Sequence, residues 1–182
     1  MIVSEPAMDR LDQDGVVNPE SRVPLAKTGM GVAVRAGAPL PDLSTPEAFK
    51  QALLAAKSVV YGDPTLPNQS GEKAERILVQ AGILDALKSR LKIVPAQAAS
   101  QESIATGEME MGLYNVSEIP EGKGLAFAGP VPAPLQITTS YEGAVMSDGA
   151  EPQAARAFIR FLASPEARAK WLAARLEPLA ER

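Results

Sequence analysis

Between residues 58 and 115 short apolar stretches alternate with helical patterns, and this alternation restricts the fold more than any other feature of the chain. "SVVYG" reads as a strand. The spacing then predicts a helix over 70–81, with Ala74, Ile77, Leu78 and Ala81 inward and Gly82 as its stop. A short helix, "ILDALKSR", leads into strand "LKIVP", helix "QAASQESIATG" and strand "MEMGLYN". Strand–helix–strand order of this kind predicts a largely parallel sheet with helices on its faces, an α/β fold.

The flanking segments extend the pattern. "MIVS" reads as a strand stub before a helical stretch carrying Ala7, Met8 and Leu11. "TGMGVAVRAG", 28–37, reads as a strand. A helix opens at Ser44-Thr45-Pro46-Glu47, where either hydroxyl can cap and Glu47 can complete a capping box with Ser44. From residue 120 onward Gly and Pro are frequent, and 136–147 is the one long strand candidate there. Two helices close the chain. The first is expected to bury Ala155, Phe158, Ile159 and Leu162, and the second starts with Ser164 as cap and Pro165 in its first turn.

Composition removes several function classes. The net charge is −4 and the basic residues are scattered, so the footprint needed for nucleic acid is missing. Aromatic residues make up 4%, too few for a base-stacking platform. The chain has no cysteine and no histidine. That excludes Cys nucleophiles, disulfides, the usual zinc ligand sets and His-based proton transfer, so no catalytic residue, metal site or cofactor is assigned. No apolar run reaches membrane-spanning length, and membrane insertion is not expected. The opening "MIVSEPAMDRLDQDG" lacks the n-region and h-region of a signal peptide.

Four motifs bear on chemistry. "RLDQDGVVNPES" aligned as a calcium loop puts Arg10 at the first ligand position and Ser21 at the twelfth, so it reads as a solvated helix end and turn. Gly29 and Gly31 precede a strand instead of linking strand to helix, which marks close backbone approach rather than a dinucleotide fingerprint. Glu108 and Glu110 are expected on the polar face of one strand, with Met109 and Met111 on the other. Glu102 and Glu118 have no partner that the sequence identifies. Ser70-Gly71 carries two readings. Ser70 can simply cap its helix, or the unpaired amides of the first turn can receive an anion that Gly71 lets approach.

Taken in order, these segments resemble the molybdate-type periplasmic solute-binding proteins of ABC transporters over nearly the whole chain. "GVVNPESRVPLAKTGMGVAVRAGAP" is similar to that family's segment entering the second lobe. "VVYGDP…SGEKAERILVQAGILDALKSRL" is similar to its strand, binding loop and helix. "SIATGEMEMGLYNVSEI" and "EPQAARAFIRFLASPEARAKW" resemble a later strand and the C-terminal helix pair. The resemblance implies a type II periplasmic-binding-protein fold, two α/β lobes joined by a two-strand hinge and closing on an anion. Residues 1–27 and 147–182 would form a remnant of lobe one, and 28–146 the hinge strands and lobe two.

By the same resemblance, the ligand contacts fall at Ser70, Gly71, Gln97 and Asn115. Asn115 stands where molybdate binders commonly carry a tyrosine, and Gln97 replaces a small apolar residue. Both amides donate and accept, which suits a partly protonated anion or an organic solute better than molybdate. Family members carry further residues before the equivalent of "IVS", so the first lobe is expected to be incomplete, with homodimerisation as one remedy for its sheet edges.

The expected function is therefore a solute-binding protein of an ABC importer. It takes a small oxyanion or small organic anion in an interlobe cleft without chemistry, partners the transporter's permease, and is periplasmic by resemblance. One rival is a cytosolic ligand-sensing effector domain of a transcription regulator. Another is an enzyme such as a hydrolase or a prephenate-type dehydratase, built on Ser with Lys or carboxylates.

Overall fold

The structure, a computed structural model, describes residues 1–66, 70–120 and 122–179. Its first elements are β1 (Ile2–Ser4), α1 (Glu5–Gln13), β2 (Val23–Arg35), α2 (Pro46–Ala55) and β3 (Val59–Gly62). Then follow α3 (Gly71–Gln80), α4 (Leu84–Leu87), β4 (Leu91–Val94), α5 (Gln97–Ala105) and β5 (Met111–Asn115). The last are β6 (Leu125–Pro130), β7 (Thr138–Gly143), α6 (Pro152–Ala163), α7 (Pro165–Ala173) and β8 (Glu177–Pro178). They form two compact units, one of Met1–Thr28 with the chain from Thr138 onward, the other Gly29–Ile137.

The second unit is built on a mixed sheet. β3 pairs in parallel with both β4 and β5, while β5 and β6 run antiparallel to β2 on its two sides. Parallel pairing is thus confined to the strands joined by crossovers through α3 and α5, which return the chain to the same end of the sheet. Side chains along β3 alternate between faces. Val59 and Tyr61 pack with Phe49 and Leu53 of α2 and with Ala74, Ile77 and Leu78 of α3. Val60 packs on the other face with Ile104 of α5 and Tyr114 of β5.

Several boundaries differ from the sequence reading. β2 starts at Val23 rather than 28, and β7 is shorter than 136–147. β6 lies in the Gly- and Pro-rich stretch where no strand was expected; its backbone pairs with β2 through a register shift at Val32/Ala33. Thr45, not Ser44, caps α2, its Oγ1 accepting from the Ala48 N–H at 3.1 Å. With Thr45 as cap, Glu47 falls one position short of the capping-box site and its carboxylate accepts from Gln51 instead. Gln136 substitutes for a strand partner. Its Oε1 accepts from the Met30 N–H at 2.6 Å, and its Nε2 donates to the carbonyls of Met30 and Val131. Gly31 leaves room for Phe127, whose ring would stand 2.7 Å from any Cβ there.

The first unit places β7 between β1 and β2, with β8 added at Ala26 and Lys27. Met8, Val17 and Ala144 form one core cluster, and Leu25, Val145 and Ile159 another. Phe158 was expected inside but is 56% exposed. Ala155, Ile159 and Leu162 fall on one helical face, and Phe158 turns off it. Ser164 does not cap α7; its hydroxyl donates back to the Phe161 carbonyl.

Asp12, within the segment compared with a calcium loop, accepts from Arg22 Nη1 at 3.0 Å. The same guanidinium donates to Asp9 at 2.7 Å and to Glu142 at 2.6 Å, tying α1 to β7. These bonds hold the guanidinium even more firmly protonated than usual, Asp9 contributing most. Removing it would strand three neighbouring carboxylates. We therefore expect Arg22→Leu to lower stability by about 2 kcal/mol, because hydrogen bonds to charged groups are lost and like charges remain. Urea unfolding of both proteins measures it.

Candidate functional site

The carboxyl ends of β3, β4 and β5 carry the four residues singled out above. In open sheets of this kind the connections to helices on opposite faces diverge there, leaving room for a ligand. Here α3 leaves β3 toward one face and α5 leaves β4 toward the other. Ser70 and Gly71 open α3, Gln97 opens α5, and Asn115 ends β5. The first-turn amides of two helices therefore accompany the ends of the parallel strands. Part of the expected binding loop, Pro67–Gln69, lies outside the described residues.

Ser70 does not cap its helix. Its dihedrals are helical, φ −71° and ψ −7°, whereas a capping hydroxyl goes with an extended residue, and its side chain makes no cap bond. Ser70 is nevertheless only 2% exposed. Gly71 has a firm packing reason. A Cβ at this position would stand 2.1 Å from the carbonyl oxygen of Gly62 and 2.7 Å from its carbon. The oxygen that the missing side chain admits is the protein's own, at the end of β3.

On the α5 side, Tyr114 is buried and donates to Ser100 Oγ at 2.8 Å, while the Ser100 hydroxyl donates to the Gln97 carbonyl at 2.9 Å. The Gln101 amide reaches the Glu118 carbonyl at 2.6 Å. Asn115 is 3% exposed and gives its Nδ2 proton to Glu118 Oε1 at 2.7 Å. Asn115 Oδ1 and Glu118 Oε2 are buried and receive no hydrogen bond. Glu118 thus has the partner that the sequence could not supply.

Lys73 escaped the sequence reading. It lies in the first turn of α3 and is half-buried; burial lowers its pKa, with the Glu118 charge acting in the opposite sense. Its signal was modest: a lysine three residues beyond Ser70 on an otherwise well-patterned helix. Burial also pushes the phenols of Tyr61 and Tyr114 up to about 12, Tyr61 with added repulsion from Glu75. Glu108 and Glu110 belong elsewhere. Both precede β5 rather than lying in it; Glu108 pairs with Lys92, and Glu110 accepts from the Lys57 N–H at 2.7 Å. Among the described residues no cluster of acidic side chains could hold a metal ion, and no helix is long and apolar enough to cross a membrane.

Residues 1–174 match the family model of bacterial extracellular solute-binding proteins, and the chain belongs to that family. Its architecture is that of periplasmic binding proteins. The substrate-binding domain of a putative molybdenum ABC transporter from Clostridium difficile superposes with a TM-score of 0.82 at 16% identity, covering 98% of this chain and 76% of that one. The periplasmic molybdate-binding protein of Azotobacter vinelandii gives a TM-score of 0.70 at 21% identity, over 94% of this chain and 74% of that one. A curated relative from a Pseudomonas species, named aconitate isomerase, is 38% identical over 162 residues. The match covers 88% of this chain, which spans 60% of that relative's length.

Two outcomes follow from this geometry. Gly71→Ala forces α3 away from the end of β3, and overpacking against backbone costs about 1–3 kcal/mol; a lower thermal midpoint is expected. The chain has three tyrosines, and two should resist ionisation until about pH 12. Their folded pKa lies above the unfolded value of 10.0, so this contribution is complete below pH 10 and disappears as pH rises toward 12. Phenolate difference absorbance, followed alongside unfolding free energy, reads both.

Proposed function

We propose that this chain acts outside the cytoplasm as the solute receptor of an ABC importer and holds a small organic anion without altering it. The observation that carries the reading is a convergence. Helices α3 and α5 open at Gly71 and Gln97 after two of the parallel strands, Asn115 ends a third, and the half-buried Lys73 feels the charge of Glu118, which follows that third strand. Lys73 makes no ion pair with a described residue, so an arriving carboxylate would offset the cost of its burial. Ser70 and Gly71 contribute main-chain N–H groups, and Gln97 contributes its side-chain amide. Charge-assisted bonds contribute roughly 1.5–3 kcal/mol each, so micromolar affinity after association costs needs several of them together with burial of the solute's apolar surface.

An organic acid is favoured over a metal oxyanion for two reasons. Asn115 and Gln97 can accept as well as donate, which a fully ionised tetrahedral oxyanion does not use. The relative named for aconitate also points to carboxylate-bearing compounds. The permease is the macromolecular partner, and it must favour the loaded receptor over the empty one. A second copy could pair through β1, which has a neighbour on only one side among the described residues.

The 38% identity to an isomerase favours a second reading, in which the bound acid undergoes proton transfer in place. Incubation with trans-aconitate, followed by proton NMR, separates the two: the receptor reading predicts binding without cis-aconitate formation. Calorimetric titration with tricarballylate, succinate, trans-aconitate, sulfate and molybdate tests the receptor itself. A carboxylate should bind in the micromolar range, and Lys73→Gln should weaken it about tenfold, or 1.4 kcal/mol. Binding of no carboxylate, or an affinity indifferent to Lys73, would overturn the proposal.

A further inference from the structure

At the end of β5 the polar requirements run opposite to those at the helix N-termini. Asn115 donates one of its two Nδ2 protons to Glu118 Oε1, and the atoms left with no partner at all are Asn115 Oδ1 and Glu118 Oε2. Both are acceptors and both are screened from water. Asn115 is nine-tenths buried and more, so its vacant oxygen cannot be dismissed as a surface group. A buried acceptor without a donor is destabilising, and two of them sit on one hydrogen-bonded pair.

The other polar groups nearby do not supply the missing donor. The Tyr114 hydroxyl is committed to Ser100, and the Gln101 amide is committed to the Glu118 main chain. Lys73 feels the Glu118 charge but forms no ion pair with it. An anion that offers only oxygen lone pairs would face two further lone pairs here and be repelled. A solute with a hydroxyl group could give its one proton to this pair of acceptors.

We infer that the solute carries a hydrogen-bond donor beside its carboxylates, making it a hydroxycarboxylic acid whose hydroxyl proton is taken by the Asn115 Oδ1–Glu118 Oε2 pair. This rests on the receptor reading above and narrows it. The carboxylates lie toward Lys73 and the helix N-termini, and the hydroxyl toward β5. Sites that hydrogen-bond a substrate hydroxyl discriminate strongly against the analogue lacking it, because their own polar groups are then left unpaired.

Matched acids test it on the full chain by titration calorimetry: citrate against tricarballylate, and malate against succinate. Each pair differs only by a hydroxyl. The hydroxylated member should bind at least ~10-fold tighter. Glu118→Gln keeps an oxygen for Asn115 Nδ2 and puts an amide donor in place of the vacant acceptor. It should therefore shrink the hydroxyl preference in both pairs, Asn115 Oδ1 remaining as the other acceptor. Equal affinities within both pairs for the wild-type chain overturn the donor requirement and leave the organic-anion reading standing. If no member of either pair binds, whether or not sulfate or molybdate does, the organic-anion reading fails and this inference falls with it.

Discussion

The second unit depends on one close approach, that of Gly71 to the Gly62 carbonyl. No side chain fits between them, so the first turn of α3 can rest directly on the end of β3. That contact sets the height of the helix against the sheet. Ala74, Ile77 and Leu78 then reach Val59 and Tyr61, while α5 takes the opposite face against Val60 and Tyr114. Two helices on two faces begin at the same end of the sheet. The amides proposed to receive a solute are therefore a by-product of how the core is packed.

The polar groups of the two units serve different ends. Around Arg22 every donor that the structure shows has an acceptor: three carboxylates converge on one guanidinium and tie α1 to β7. Such an arrangement leaves little for a ligand to improve. Around Glu118 the balance is incomplete: the half-buried Lys73 of α3 feels its charge but has no ion pair among the described residues, and two buried oxygens lack donors. Unmet needs of both signs in one region favour a solute with both kinds of group, which is a stricter requirement than charge alone.

Periodicity and punctuation were legible without coordinates. The stripe Ala74, Ile77, Leu78 and Ala81 is buried as its spacing requires, and Gly82 adopts the left-handed conformation that ends a helix. The alternation of strands and helices between 58 and 115 was equally plain, because crossovers leave a local imprint of lengths and patterns. Strand β6 was hidden. Its pairing with β2 comes from distant backbone, and local composition argued for a loop. Phe158 misled for the same reason, since hydrophobicity alone does not say which side of α6 faces the core.

For the site, the chain's own residues determined that no histidine or cysteine could act, and that a serine–glycine pair opens a helix behind a strand. They could not say that Gly71 answers to a carbonyl of the protein itself, nor that Ser70 leaves its cap unmade. Neither could they reveal Lys73, or the meeting of Asn115 with Glu118. Those depend on atoms brought together across the turn after β5 and between separate elements. Local sequence fixes dihedral preference and periodicity, which are short-range. Burial, vacant acceptors and the pairing of charges arise only when the folded chain excludes water, and that was decided by tertiary structure.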